Sequence, residues 1–281
     1  MGELRVDALS GLRTLFTPGS APEGRGARAF AADEPALTAG AAGPPREASL
    51  DLFTSAAARG AHELIVSSPR PVSSLAELDA AEVTAAMELW RTRMAAHTEA
   101  KHVHLHLDEG GGGPPALSHA QLWALDFVPA AVARERERCA AYAVRTQGSD
   151  LLGDLVQAEV RARVRLVGHD DEAVLLAPYA SRAPFQLMLV PRTPTPRFQE
   201  PGALGAALLH RALGALAAHF GAAPALTLWV RTAPRGAEHF CWRIDVLPRL
   251  APEGGLVLGT GVHLNPVLPE RAAAVLKPLL G

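Results

Sequence analysis

The feature that most limits the fold is an order of elements that occurs twice along the 281 residues. In the first half, residues 62–66 form a β-branched run that ends in a serine and proline turn, which predicts a strand. Apolar residues then recur at helical spacing, which predicts an amphipathic helix over 79–99. Residues 103–107 alternate strictly between apolar and polar, as in a strand with one buried face. A glycine-rich link leads to a further predicted strand within 116–128.

The second half repeats this order with a strand, a helix and two strands, predicted over 185–192, 202–220, 226–230 and 240–250. Short links between the last two strands favour antiparallel pairing. We therefore predict an α+β fold of two related halves, residues 1–150 and 151–281, with mainly antiparallel sheets and flanking helices. Residues 19–49 are rich in Gly, Ala and Pro without either periodicity, which predicts a loop.

Composition limits the classes of partner. The 27 basic and 29 acidic residues nearly balance, so no strong overall field attracts nucleic acid or an anionic membrane. No apolar run reaches the roughly 18 residues of a membrane span, and Glu3 and Arg5 stand where a signal peptide is apolar. Cys139 and Cys241 are too few for a disulfide framework or a cysteine zinc site. We expect a cytoplasmic protein whose partners are small molecules or other proteins.

Several short motifs follow one another in an order that is informative as a set. They are LRVDALSG (4–11), HELIV with Ser68-Pro69 (62–66), LSHAQ (117–121), WRIDVLPRL (242–250) and GGLVLGTG (254–261), the last followed by Asn265-Pro266. In this order they resemble the galactose-1-phosphate uridylyltransferase-like family of the histidine triad (HIT) superfamily. The closing segment is most similar to the branch that includes ADP-glucose phosphorylase.

The resemblance implies a nucleotidyltransferase or phosphorylase. In that family a histidine attacks the α-phosphorus of a nucleotide sugar and carries the nucleotidyl group covalently, and His119 occupies the matching position. A neutral imidazole suits this role because its ordinary pKa of about 6.5 leaves a nucleophilic nitrogen near pH 7. Gln121 matches a glutamine that donates a hydrogen bond to a phosphoryl oxygen. Residues 119 and 121 point to one face of a strand, so the two side chains can act together.

Other positions complete the predicted site. By the same resemblance, substrate binding is assigned to Asp108, Gly110, Gly111, Ser118 and Asn265. The glycines at 110–113 could instead form a plain flexible turn. His102, His104 and His106 share one strand face and could ligate a metal, but without an added acid or cysteine a solvent-facing strand surface is the favoured interpretation.

The family's metal positions are absent. Cysteine is missing from 30–45, Arg70-Pro71 follows Ser-Pro, and Leu117 replaces a histidine, so we expect no zinc. For the iron site of some relatives, Arg231, Arg243 and Asp245 replace three histidines, and Glu159 is the candidate retained ligand. Arginine cannot ligate a cation, and an Arg243–Asp245 ion pair could replace the metal. No cofactor is expected.

The substrate positions leave alternatives open. Ser20 and Glu23 replace two arginines, Pro114 and Pro115 replace polar residues, and Val257 replaces a glutamate that contacts the sugar. Valine cannot accept hydrogen bonds from hexose hydroxyls, so galactose is not the expected sugar. The partner is predicted to be a nucleotide or nucleotide sugar, and the assembly a homodimer. The alternatives are a catalytically silent scaffold that binds a nucleotide or a protein, and a nucleotidyl hydrolase.

Overall fold

The protein is described by a computed structural model, which covers residues 3–6, 13–16, 29–31, 55–110, 117–252 and 254–281. Most of the loop predicted over 19–49 lies outside these residues. Ala29–Ala31 does not, and this segment is a short strand rather than loop, because its backbone pairs with Glu63–Ile65 at a sheet edge. No helix in the described part of the chain is long and apolar enough to cross a membrane.

The elements alternate between strands and helices. The strands are β1 (Glu3–Val6), β2 (Arg13–Phe16), β3 (Ala29–Ala31), β4 (Ser55–Ala57), β5 (Gly60–Val66), β6 (His102–Glu109), β7 (His119–Leu125), β8 (Leu166–His169), β9 (Ala173–Leu176), β10 (Leu187–Pro191), β11 (Leu226–Arg231) and β12 (Arg243–Pro248). The helices are α1 (Ala80–Ala95), α2 (Ala130–Thr146), α3 (Leu151–Ala162), α4 (Ala206–Phe220), α5 (Gly255–Thr260) and α6 (Pro269–Leu276), with 3-10 turns at Leu75–Glu77 and Lys277–Leu279.

Two antiparallel sheets organise the described strands. A small sheet has the order β2-β1-β4, and a nine-stranded sheet has the order β3-β5-β7-β6-β11-β12-β10-β9-β8. The predicted α+β class with mainly antiparallel strands is confirmed. The predicted halves contribute neighbouring blocks of the large sheet, joined where β6 pairs with β11. Their relation by duplication, with 56–130 superposing on 180–250, stays a prediction.

One face of the large sheet is buried beneath helices. Ile65, Leu105, Leu122, Leu228 and Ile244 all have no exposed surface and form one cluster with apolar residues of α1 and α4. Each such side chain stabilises the fold by about 1.5–3 kcal/mol relative to exposure. Since side chains of a strand alternate between faces, the residues between these positions lie on the opposite face. That opposite face carries the candidate functional site.

Strand β5, which lies beside β7, is anchored to α1 by a charged group. Glu63 of β5 accepts hydrogen bonds from Arg93 Nε at 2.8 Å and Nη2 at 2.6 Å, and its Oε1 lies 2.9 Å from His97 Nε2. Partial burial raises the pKa of the Glu63 carboxyl, but the bonds from His97 and Arg93 outweigh it and lower the pKa to about 2. These contacts fix β5 against the core helix and thereby position its neighbour, β7.

Glu63→Gln should reduce stability at neutral pH and make the free energy of unfolding less dependent on pH in the acid range. A carboxyl whose folded pKa lies below its ordinary value of 4.5 stabilises above that value, and the contribution disappears as pH falls toward 2. The difference in unfolding free energy between wild type and variant should therefore shrink between about pH 5 and pH 2. Urea titrations across this range measure it. Glu88→Gln, at an exposed position of α1, is the matched control. A constant difference would contradict the assignment.

Candidate functional site

The site is built on the middle of the nine-stranded sheet, on the face opposite the helical core. On β7, His119, Gln121 and Trp123 alternate with the buried Ala120 and Leu122 and are partly exposed. The neighbouring strands add histidines at paired positions. His62 of β5 and His104 of β6 lie beside Trp123, and His106 of β6 lies beside Gln121. Strand periodicity thus gathers polar and aromatic side chains that are distant in sequence.

His119 has one ring nitrogen fixed by the backbone. Its Nδ1 lies 2.8 Å from the carbonyl oxygen of Leu117, two residues earlier. A carbonyl only accepts hydrogen bonds, so the proton resides on Nδ1 and the lone pair on Nε2. The ring is half-buried at the start of β7, where it can meet a ligand. This is the state that a nucleophilic imidazole requires.

Gln121 is held by His62, the first residue of the HELIV motif, to which the sequence analysis assigned no role in the site. His62 Nε2 lies 3.2 Å from Gln121 Oε1, and the imidazole stacks on Trp123 with ring centroids 3.8 Å apart. Burial lowers the pKa of His62, so the ring is neutral at pH 7. A proton on Nε2 donates to Gln121 Oε1, which leaves the glutamine amide hydrogens for another acceptor. Strand alternation places Trp123 on the same face as Gln121, and this pattern is the sequence signal that could have predicted the contact.

Ser118 lies on the other face of β7 and serves the protein interior. Its hydroxyl donates to Glu109 Oε1 at 2.8 Å, and only 4% of the residue is exposed. Glu109 also accepts from Ser74 Oγ and the Leu75 N–H, both at 2.7 Å. Burial raises the pKa of the Glu109 carboxyl even with these bonds. Although Ser118 precedes His119 directly, its side chain points to the buried face of the sheet, because successive side chains of an extended chain alternate between faces. Ser118 therefore does not join His119 on the face that carries the site.

The residues at the end of β6 differ in what they can offer. Asp108 is exposed on the same face as His106, accepts a hydrogen bond from Thr227, and lies 3.8 Å from His106 Nε2. Gly110 has φ +72°, and a Cβ there would lie 2.7 Å from Ala225 Cα, so the positive φ and the close approach of Ala225 require glycine. Gly111 lies outside the described residues, as do Pro114 and Pro115. Binding roles for Asp108 and Gly110 stay predictions.

Asn265 is engaged within the C-terminal part of the chain. Its amide nitrogen donates to the Ser181 hydroxyl at 2.9 Å and the Ala183 carbonyl at 3.0 Å, and its oxygen accepts from the Val267 N–H at 3.0 Å. These bonds use the donors and acceptor that a substrate would need. They tie the 181–183 loop to the segment before α6 and give Asn265 a structural task.

The histidine face of β6 is not the solvent-facing surface that the alternation indicated. His102 is only 2% exposed, and both His102 and His104 line a pocket of about 320 Å³ under α2. Burial lowers the pKa of His102 to about 4 and that of His104 to about 3, so both are neutral at pH 7. The interpretation was wrong because α2, which covers this face, was not predicted from sequence.

The second-half positions that correspond to the iron ligands of some relatives form an ionic cluster in this structure. Arg243 Nε donates to Asp245 Oδ2 at 3.0 Å, which confirms the predicted pair, and Arg243 also binds Glu135 of α2. Glu159, by contrast, pairs with Arg165 at 2.9 Å and does not join the cluster. The glutamate of the cluster is therefore Glu135 and not Glu159. The reason is that α2, rather than α3, lies over the ends of β11 and β12 at these positions.

These side chains do not fit a bound metal. Arginine cannot coordinate a cation, and both Arg231 and Arg243 stand in the cluster. At the first-half position, Leu117 has no donor atom, and the Arg70 guanidinium binds Glu82 at 2.8 Å. Among the residues that the structure describes, no group of three or more His, Cys, Asp or Glu side chains could hold an ion. No chemical step is assigned to a metal.

Comparison with known proteins gives sequence relatives. A family model described as the N-terminal domain of galactose-1-phosphate uridyl transferase matches residues 16–129. The chain is 31% identical over 160 residues to galactose-1-phosphate uridylyltransferase of Haemophilus influenzae, covering 56% of the chain and 45% of the relative. It is 23% identical over 232 residues to ADP-glucose phosphorylase of Arabidopsis thaliana, covering 78% and 64%. The chain thus spans less than two thirds of these relatives.

Solved structures extend the likeness to the fold. A uridylyltransferase structure superposes with a TM-score of 0.86 at 20% identity, covering 99% of this chain and 98% of the other. The ADP-glucose phosphorylase of Arabidopsis thaliana, solved with bound ADP-glucose, superposes with a TM-score of 0.74 at 20% identity, covering 99% of both chains. At this identity the structural likeness establishes the fold, and the chemistry depends on the residues of the site.

Proposed function

Since the chain is a galactose-1-phosphate uridylyltransferase-like member of the histidine triad superfamily, we propose that it transfers a nucleoside monophosphate group through a covalent intermediate on His119. The observation that carries the proposal is the hydrogen bond from His119 Nδ1 to the Leu117 carbonyl. In the neutral ring this bond leaves the lone pair on Nε2, on the sheet face opposite the helical core. An ordinary surface histidine does not need this arrangement, and a nucleophile does.

The proposed reaction has two displacements at one phosphorus. His119 Nε2 forms a bond to the α-phosphorus of a nucleoside diphosphate compound while the bond to the bridging oxygen breaks, and the distal phosphate compound leaves. Phosphate or a sugar phosphate then attacks the same phosphorus and releases the histidine. Gln121 donates an amide hydrogen to a phosphoryl oxygen whose charge grows in each transition state, and His62 keeps the amide turned for this task.

The proposed substrate is a nucleotide sugar other than a galactose compound. One sequence relative is an ADP-glucose phosphorylase, and the corresponding Arabidopsis thaliana structure contains ADP-glucose. Val257 lies on α5 where the resemblance places a glutamate for the sugar, and valine offers no acceptor to hexose hydroxyls. The base and the acceptor are left open by these residues.

A catalytically silent, nucleotide-binding or protein-binding scaffold is the second candidate. It is favoured by Ser118 and Asn265, whose polar atoms are engaged inside the protein, and by the replaced metal positions. A hydrolase, in which water is the acceptor, is the third. We also propose a cytoplasmic location, since Cys139 and Cys241 are free and buried as in a reducing compartment. A homodimer stays a prediction.

Covalent labelling separates these candidates. The purified protein is incubated with α-³²P-labelled nucleotides and nucleotide sugars, and acid-labile, base-stable label on the chain is measured. A transferase or hydrolase labels the chain, and the two differ in whether added phosphate or water removes the group. A scaffold binds the nucleotide without labelling. Label that resists acid would contradict a histidine intermediate.

Gln121→Ala should slow transfer by about 10²–10³ while His119 still accepts the label, because one transition-state donor is lost. Single-turnover rates of labelling measure the effect. Gln157→Ala, at an exposed position of α3, is the matched control and should leave the rate unchanged.

His62→Phe tests how Gln121 is positioned. The phenyl ring can keep the stack on Trp123, but it cannot donate to Gln121 Oε1. We expect a slower labelling rate than wild type but a faster one than Gln121→Ala, with nucleotide affinity little changed. A rate equal to that of wild type would show that the glutamine does not depend on His62.

A further inference from the structure

A second binding region lies on the same sheet face, farther along β7 from His119. The 320 Å³ pocket is lined by apolar atoms of Trp123, Leu125, Pro129 and Val132 and by three polar residues, His102, His104 and Arg231. Its size is at the lower end of small-molecule sites, so a compact ligand fits and a dinucleotide does not. The proposed reaction uses none of the polar residues in this pocket.

Arg231 is a largely buried cation with an ion-pair contact but no hydrogen bond at its Nε. Only 11% of its side chain is exposed, and its nearest carboxylate contact is Glu135 Oε2 at 3.4 Å. Its Nε is buried and has no hydrogen-bond partner. Both oxygens of Glu135 accept hydrogen bonds from Arg243, which also donates to Asp245. A guanidinium has five N–H donors, so Arg231 retains capacity for an anion.

Among Arg231 and the charged groups that act on it, arginines outnumber carboxylates by one. Arg231, Arg243 and Arg182 face two carboxylates, those of Glu135 and Asp245. Arg182 lies over the Trp229 ring, 5.8 Å from its centroid, and its charge acts on both Glu135 and Arg231. A ligand with a single negative charge would neutralise the group, whereas a dianion would exceed it.

A buried histidine supplies a further polar group. His102 is 98% buried, and its Nδ1 has no hydrogen-bond partner. Buried polar atoms usually have a partner, so an unpaired nitrogen in a pocket wall indicates that a ligand or water completes it. We propose that this pocket binds a small aromatic monocarboxylate, with its carboxylate on Arg231 and its ring between Trp123 and the apolar wall formed by Pro129 and Val132.

The ligand class follows from geometry and charge together. A planar carboxylate matches the fork of a guanidinium and can take two parallel hydrogen bonds. The indole of Trp123 and the aliphatic wall favour a flat, apolar body over a sugar. One face of the indole is already stacked on His62, so the remaining surface is what the ligand meets. Inorganic phosphate lacks the apolar body and should bind weakly.

Calorimetric titration with benzoate, and with its neutral analogue benzamide, tests the proposal on the full chain. Benzoate should bind at least about tenfold more tightly than benzamide, because only the carboxylate satisfies Arg231. Arg231→Met should remove that difference, while Arg235→Gln, which removes a nearby exposed arginine, should keep it. His119→Asn should bind benzoate as wild type does, since the pocket is separate from the proposed nucleophile.

Two outcomes would overturn the proposal. The first is benzoate binding to wild type that is no tighter than benzamide binding, a comparison that needs no variant to fold. The second is unchanged benzoate affinity in Arg231→Met that keeps the wild-type circular dichroism spectrum. Val132→Phe gives an independent check: the larger ring should fill the pocket and abolish binding of both compounds, and retained binding would place the ligand elsewhere.

Discussion

His119→Asn is expected to abolish covalent labelling by α-³²P nucleotides. The asparagine amide keeps a polar group of similar shape, but its nitrogen has no free lone pair with which to form a phosphoramidate. Nucleotide binding should remain close to that of wild type, because asparagine keeps a polar side chain at the start of β7 and the hydrogen bond that the His119 ring loses, to the Leu117 carbonyl, is local. Filter counting after base treatment measures the label, and equilibrium dialysis measures binding.

A matched histidine provides the control for this experiment. His169→Asn changes an exposed histidine at the end of β8, the last strand of the large sheet, and should label like wild type. Undiminished label on His119→Asn would show that another group is the nucleophile. Binding without label in the wild-type protein would instead favour the scaffold, and His119 would then be an ordinary strand histidine.

Strands with strict alternation were predictable because their pattern is local. Residues 103–107 lie within β6, and 226–230 lie within β11, with only the ends displaced by one or two residues. The predicted helix over 79–99 ends earlier, at Ala95, and begins at Ala80, where Asp79 and Glu82 form a reciprocal capping box. Local chemistry of this kind is visible in sequence.

The secondary structure of the residues around the boundary of the two halves could not be predicted in this way. The patterns predict no element for residues 129–176, where the structure has α2, α3, β8 and β9. The buried positions of α2 are only Val132, Cys139 and Ala143, which is a weak apolar stripe among many charges. A helix that covers a polar sheet face does not need a broad apolar side, and so its sequence lacks the usual signal.

The candidate site shows the same limit. Strand alternation was enough to place His119 and Gln121 together, since they are two residues apart. Glu135 and Arg243 meet across 108 residues, and this contact depends on β12 pairing with β11 and on the position of α2. The resemblance therefore indicated Glu159 as the acidic residue, and the sequence carried no signal for Glu135. Glu159 instead pairs with Arg165, which also binds Glu270, a residue that is distant in the sequence.

Arg243→Met is expected to destabilise the protein by about 3–5 kcal/mol, the largest effect on stability that we predict. The Arg243 side chain is 12% exposed, and it binds Glu135 of α2 and Asp245 of β12 at once. Burial lowers the pKa of its guanidinium, but Asp245 and Glu135 outweigh this and raise it. Removing the cation would leave Asp245 with no salt bridge and Glu135 with only its 3.4 Å contact to Arg231.

Charge compensation separates this cause from lost packing. In the double variant Arg243→Met, Asp245→Asn, Glu135 keeps Arg231 as its ion-pair partner and Asp245 is no longer an unpaired charge, so most of the lost stability should return. Arg70→Met is the exposed comparison: this arginine also binds a glutamate at 2.8 Å, but 48% of its side chain is exposed, so water screens the pair and its loss should change stability far less than the loss of Arg243. Urea unfolding at pH 7 measures all three variants. A double variant no more stable than Arg243→Met would mean that the arginine stabilises by packing rather than by charge.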